Sequence, residues 1–272
     1  VLALSLAAAG WRQTAVGAAA LVFVGGVLLA SRMRTRPEDY GLLPDGETRP
    51  DGPQDSTAVP RRPAAAMARD FTAAEALRTR AFWLLSIAHS FSIVALTAAT
   101  VHQIPYMVSG LGMSTQAAAA VVALFTGVQL VAQLGCGLVG DRINKRYAIA
   151  ALTLGQGVAL AVLGLLHSLA GPLLFAVLLG ACWGARMPLI LAIRGDYFGR
   201  KSYATIAGWL NATLAAGSMV GPVLAGVLAD RLGTYNPVFL ILSVLPAVGA
   251  GLFFLAKAPV PGTASVQTSA LP

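Results

Sequence analysis

Long uninterrupted apolar runs dominate the chain, and they are too long for the interior of a soluble domain. A bilayer core of about 30 Å needs roughly 20 apolar residues at about 1.5 Å rise each. Seven stretches meet that length, at 14–31, 82–107, 115–139, 147–167, 172–193, 204–228 and 237–256. An eighth, shorter run covers 1–9 and breaks at Gly10-Trp-Arg12, as the tail of a further span would. The runs are continuous rather than alternating, so they predict helices and not the strands of a membrane barrel. Between the first span and the second lies a segment with Pro37, Pro44, Pro50, Pro53, Pro60 and Pro63 among acidic residues, Gly and Arg. Such a stretch, about 37–70, buries too little apolar surface to fold alone and predicts a tether. Order is expected to resume at Thr72, where Thr72-Ala-Ala-Glu75 has capping-box spacing and predicts a short interfacial helix over 72–81.

Composition agrees with the pattern. Hydrophobic residues make up 57% of the 272 and charged residues 11%, against about 25% charged in an ordinary soluble domain. The mean hydropathy is +0.73. The net charge of +8 would suggest nucleic acid on a soluble protein. Here the basic residues lie in loops on one side of the predicted spans. That side holds nine arginines between Arg32 and Arg80. It also holds Arg142, Lys145, Arg146, Arg194, Arg200, Lys201 and Lys257, while Arg12 and Arg231 lie opposite. The positive-inside bias makes the first side cytoplasmic, with the central loop and the C-terminus inside. No nucleic-acid partner is expected, nor a cofactor or metal. Cys136 and Cys182 sit in apolar helical stretches as packing residues.

Two segments resemble one another. Gly137-Leu-Val-Gly-Asp-Arg-Ile-Asn-Lys-Arg146 ends one span, and Gly226-Val-Leu-Ala-Asp-Arg-Leu-Gly-Thr-Tyr235 ends another, three spans later and on the opposite face. Related motifs on opposite faces are what an inverted repeat produces. With these motifs the chain resembles the C-terminal half of a major facilitator superfamily transporter. Gly137, Asp141, Arg142, Lys145 and Arg146 match the family's loop signature, with Asn144 where the family has Gly. Asn tolerates positive φ, so a turn there can survive the change.

The resemblance implies an all-α polytopic membrane protein with a major facilitator fold. The chain would supply the end of helix 5, all of helices 6 to 12, and a 3+3 inverted repeat in helices 7 to 12. The expected division is 1–31 as the end of the N-terminal half, 32–81 as the cytoplasmic central loop with its short helix, 82–257 as a six-helix transporter domain, and 258–272 as a flexible tail. Partners would be a small-molecule substrate, the lipid bilayer and the missing N-terminal half. A bacterial inner membrane is the expected location. Gly10-Trp-Arg12, Arg36-Pro-Glu-Asp-Tyr-Gly41, Pro44-Asp-Gly46, Ala76-Leu-Arg78 with Phe82-Trp83, and Gly195-Asp-Tyr-Phe-Gly-Arg-Lys201 look most like the monocarboxylate and oxalate/formate-type branch.

Candidate chemistry is sparse. Arg186 is the one charge read as lying well inside a span, about 12 Å from Arg194. An intramembrane guanidinium can hold a carboxylate bidentately, or it can form a structural pair with a helix-end carbonyl or Asp196. Trp183, on the same helix face, would wall such a site. His102 and Gln103 lie near the outer end of their span, where a histidine at a wet mouth can titrate. His89 reads as a satisfied interior histidine. Gln129 and Gln133 share a face with Thr126, and Asn211 shares one with Ser218. Asp141 and Arg142, and Asp230 and Arg231 in the second motif, suit a charge network that exists in one transport state, or solvated turns. Gly217, Gly221 and Gly226 with Pro222 suit close helix packing or a bending point.

The resulting expectation is a secondary active transporter of a small organic anion such as a monocarboxylate, working by alternating access. A drug or metabolite exporter of the same superfamily, and a seven-helix receptor, are the alternatives. No cluster of nucleophile, base or metal ligands supports an enzyme.

Overall fold

A computed structural model describes residues 2–32, 70–199 and 202–259. The tether expected at 37–70 and the tail beyond 259 therefore lie outside the described residues, apart from Asp70. Among the described residues, seven helices are long and apolar enough to cross a membrane. The first unit contains α1 (Leu2–Arg32), whose run is interrupted at Gly10 with φ 75° and ψ 163°. That positive φ is open to glycine at little cost, so the break foreseen at Gly10-Trp-Arg12 is set by Gly10 itself.

The second unit carries the other helices. The capping box forms: Thr72 N–H donates to Glu75 Oε2 at 2.9 Å and Glu75 N–H to Thr72 Oγ1 at 3.3 Å. The helix it starts, α2 (Ala73–Leu77), is shorter than the expected 72–81. A second cap intervenes, because Thr79 Oγ1 accepts from Phe82 N–H at 3.2 Å and starts α3 (Arg80–Pro105). A wider turn, Tyr106–Gly110, continues α3 past Pro105. Then follow α4 (Thr115–Val139), α5 (Lys145–Leu165), α6 (Ala170–Phe198), α7 (Tyr203–Leu232) and α8 (Asn236–Leu255).

Two boundary expectations need correction. Asn144 has φ −72° and caps α5 through its side chain, accepting from Tyr147 N–H at 3.4 Å. The left-handed residue appears at its repeat counterpart Gly233, φ 70°, which closes α7. Arg194, counted as a loop residue, lies inside α6, which runs on to Gly199 at φ 77°. A charge did not end the helix; a glycine did.

The packing has a two-fold pattern. The main contacts are α3 with α7 and α8, α6 with α4 and α5, and α5 with α8. Exchanging α3, α4 and α5 for α6, α7 and α8 maps this set onto itself, as an inverted 3+3 repeat requires. One detail repeats at side-chain level. Tyr106, just past α3, donates its hydroxyl to Leu163 O near the end of α5 at 3.1 Å. Tyr197, near the end of α6, donates to Ala256 O at the end of α8 at 2.7 Å. In each repeat a buried tyrosine from the first helix ties down an end carbonyl of the third.

Glycines set how close the helices come. A Cβ on Gly180 would sit 2.7 Å from Phe125 O, and one on Gly184 would strike the backbone of Gln129, so α6 and α4 touch backbone to backbone. Gly221 does the same against the backbone of Val94 and Ala98 of α3, and a Cβ on Gly217 would sit 3.2 Å from Ser90 O. Without a hydrophobic drive between helices in lipid, such close contact supplies much of the association.

Candidate functional site

The interior polar groups gather where α3, α5 and α6 meet. Arg186 is fully buried. Its Nη1 donates to Thr153 Oγ1 on α5 at 3.1 Å, and its guanidinium carbon lies 4.7 Å from the centre of the Trp183 ring. Among the described residues, Arg186 Nε and Nη2 have no hydrogen-bond partner. The structural pair with Asp196 does not form, because Asp196 pairs with Lys145 at 2.9 Å. Since α6 ends at Phe198, Arg186 sits about 18 Å from that end, deeper than the sequence boundary placed it.

Two further polar pairs link α3 to α5 and α6. Ser92 on α3 donates to Gln156 Oε1 on α5, and Gln156 Nε2 returns a bond to Ser92 O at 2.8 Å, so this pair satisfies itself. His89 on α3 faces Arg194 on α6 at 3.3 Å from Nδ1 to Nη2, while its Nε2 is buried without a partner. His89 is therefore only half satisfied. Sequence reasoning missed Thr153 as the partner of Arg186, and it missed the Ser92–Gln156 and His89–Arg194 pairs. The Gly180-x-x-x-Gly184 spacing, equal to that of Gly217 and Gly221, was a readable signal for the α4–α6 contact.

The remaining candidates lie elsewhere. His102 is engaged at both ring nitrogens, 3.0 Å from Pro222 O and 3.1 Å from Tyr235 Oη, and it ties α3 to α7 and to the start of α8. A carbonyl only accepts, so Nε2 carries the hydrogen and donates, and Nδ1 accepts from the Tyr235 hydroxyl. Both ring nitrogens are thus engaged by other helices of the bundle. Gln103 is buried and donates to Thr100 O of its own helix at 3.2 Å. Gln133 and Asn211 are exposed on α4 and α7, and Gln129 is half-buried beside Gly184. Gly226 faces His102, and Pro222 lies within a continuous α7. Gly137, Asp141, Arg142, Asp230 and Arg231 are exposed, and Arg146 bonds the Tyr147 hydroxyl at 2.7 Å.

Residues 91–270 match the model of the Major Facilitator Superfamily. This chain belongs to that superfamily. Among its relatives is the "Oxalate:formate antiporter" of Oxalobacter formigenes, 30% identical over 195 residues, covering 68% of this chain and 44% of the relative. "Monocarboxylate transporter 12" of Xenopus laevis is 29% identical over 164 residues, or 59% of this chain and 35% of the relative. "Monocarboxylate transporter 11" of Homo sapiens is 27% identical over 210 residues, 74% and 43%. This facilitator chain thus spans less than half the length of the relatives it matches. The branch they represent is the one its loop motifs resemble, and it is a branch of transporters, not enzymes. The chain is an integral, multi-pass membrane protein.

Proposed function

We propose that this facilitator chain is part of a secondary active transporter that carries a small organic anion by alternating access, with Arg186 as the anchor. The observation that carries the reading is the guanidinium edge at Nε and Nη2. It is buried and flanked by Trp183, and among the described residues it has no hydrogen-bond partner and no carboxylate paired with it. An arginine at mid-helix in a bilayer costs about 2.5–3.5 kcal/mol on insertion scales. A carboxylate that meets the guanidinium edge in the transport cycle gives that cost a purpose. The relative named for oxalate and formate supports the same substrate class. The exposed polar face of α4, with Thr126 and Gln133, and Asn211 on α7 would meet the N-terminal half of the transporter. The end bearing Asp141, Arg142, Lys145 and Arg146 would be cytoplasmic, in a bacterial inner membrane. Asp141 would join a charge network in the state closed on that side.

The test is uptake of labelled small carboxylates into proteoliposomes holding the full-length protein. Arg186→Lys keeps the charge but loses the planar fork and should weaken binding; Arg186→Gln should weaken it more. If both correctly inserted variants keep wild-type affinity, Arg186 is a structural residue and the anion assignment loses its support.

A further inference from the structure

We propose that His89 and Arg194 form a second anion station between α3 and α6, separate from Arg186 and sized for one small monovalent anion. Both side chains are buried. Arginine has donors and no acceptor, so the 3.3 Å contact from Arg194 Nη2 to His89 Nδ1 requires Nδ1 to offer its lone pair. The ring hydrogen then sits on Nε2, which is one of the buried atoms without a partner. Ser86 Oγ, one turn away on the same face of α3, is another. Every unpartnered polar atom here can donate, and none is obliged to accept.

The surroundings have the same bias. The charged groups acting on His89 are Arg186 and Arg194, both cations. Tyr203 of α7 lies near Arg194. The elements packed closest present apolar side chains: Ile190 and Ile193 from α6, Leu210 from α7 and Phe253 from α8. With His89, Arg194 and Leu85 these line a cavity of ≈ 10 Å³, about the room one water-sized particle needs. A water there would meet an excess of donors and leave the positive charge uncompensated. A halide, or one oxygen of a carboxylate, accepts from the His89 Nε2 hydrogen and from the Arg194 guanidinium. Arg194 follows Arg186 by about 12 Å along α6, and the Trp183 ring lies near both His89 and Arg186, at 6.4 Å from the one and 4.7 Å from the other. The occupant is then either the transported carboxylate in passage, which rests on the function proposed above, or a resident halide, which does not.

The experiment uses bromide on the crystallised full-length protein, read by anomalous scattering, with bromide affinity measured in detergent solution. Wild type should show a bromide peak at the His89–Arg194 cavity. Arg194→Gln and His89→Phe should lower bromide affinity by about ten- to a hundredfold, the effect of losing a charge-assisted hydrogen bond. His89→Gln should retain binding, because its amide can still accept from Arg194 and donate with its nitrogen. Arg186→Gln should keep the peak, which separates this site from the first. Displacement of bromide by formate identifies a carboxylate station; persistence of bromide identifies a resident halide site. Folded wild-type protein with no bromide peak at this cavity overturns the proposal. A retained peak in a protein that moves no carboxylate leaves this station standing and removes the proposed substrate.

Discussion

Replacing Gly184 with alanine should destabilise the helix bundle, although the same change inside a helix ordinarily stabilises it. Alanine is better than glycine in a helix interior by about 0.8–1 kcal/mol. At Gly208 on α7 a new Cβ meets nothing within 4 Å, so Gly208→Ala should show that gain. At Gly184 the new Cβ would collide with Gln129 O and lie 2.9 Å from its carbonyl carbon and 3.0 Å from its Cα. All three are main-chain atoms of α4, and no rotamer change can clear them. Moving one helix off the other costs about 1–3 kcal/mol, which outweighs the propensity gain by up to about 2 kcal/mol. Gly221→Ala meets the same situation at Val94 O and Ala98 N of α3 and should behave alike. Gly226→Ala, with His102 Cε1 at 3.7 Å, makes an ordinary contact and should be tolerated. The assay is the unfolding midpoint of the full-length protein in detergent, followed by tryptophan fluorescence. If Gly184→Ala is as stable as Gly208→Ala, the backbone contact between α4 and α6 is not as close as described.

The remaining predictions concern the two repeats and their ends. Tyr106→Phe and Tyr197→Phe each remove one buried hydroxyl from an end carbonyl, and each should cost about 1 kcal/mol in the same unfolding assay; a cost at only one of them would refute the paired role. The Lys145–Asp196 pair has side chains 19% and 54% exposed, so a double-mutant cycle should give a coupling below about 1 kcal/mol that shrinks with added salt. Asp141→Asn should leave the unfolding midpoint within about 0.5 kcal/mol of wild type, since the carboxylate is exposed. It should nonetheless slow uptake; wild-type uptake at normal expression would remove Asp141 from the gate.

The membrane architecture was legible in the sequence because length and continuity of apolar residues are local properties, fixed by bilayer thickness and by the need to satisfy every backbone hydrogen bond within a helix. The repeat was legible for a similar reason: Gly137–Arg146 and Gly226–Tyr235 keep the same residues at two helix ends. Boundaries were less secure. The end of α6 was placed at a charge, where the chain in fact continues to a left-handed glycine, and the start of α3 depended on Thr79 acting as a cap. The site was legible in one residue, Arg186, because a charge inside an apolar run stands out. The other polar residues did not stand out. Thr153, Gln156 and Ser92 are ordinary small polar residues in membrane helices, and His89 and Arg194 are far apart in the chain. Only helix packing decides that His89 and Arg194 meet at 3.3 Å while Asp196, two residues beyond Arg194, turns away to Lys145. Helical rotation fixes which face of α6 each residue occupies, but the partner on that face comes from another helix. The sequence therefore determined the spans, the repeat and the presence of a buried cation. The tertiary structure decided which groups stand beside that cation and which of its donors remain unpaired.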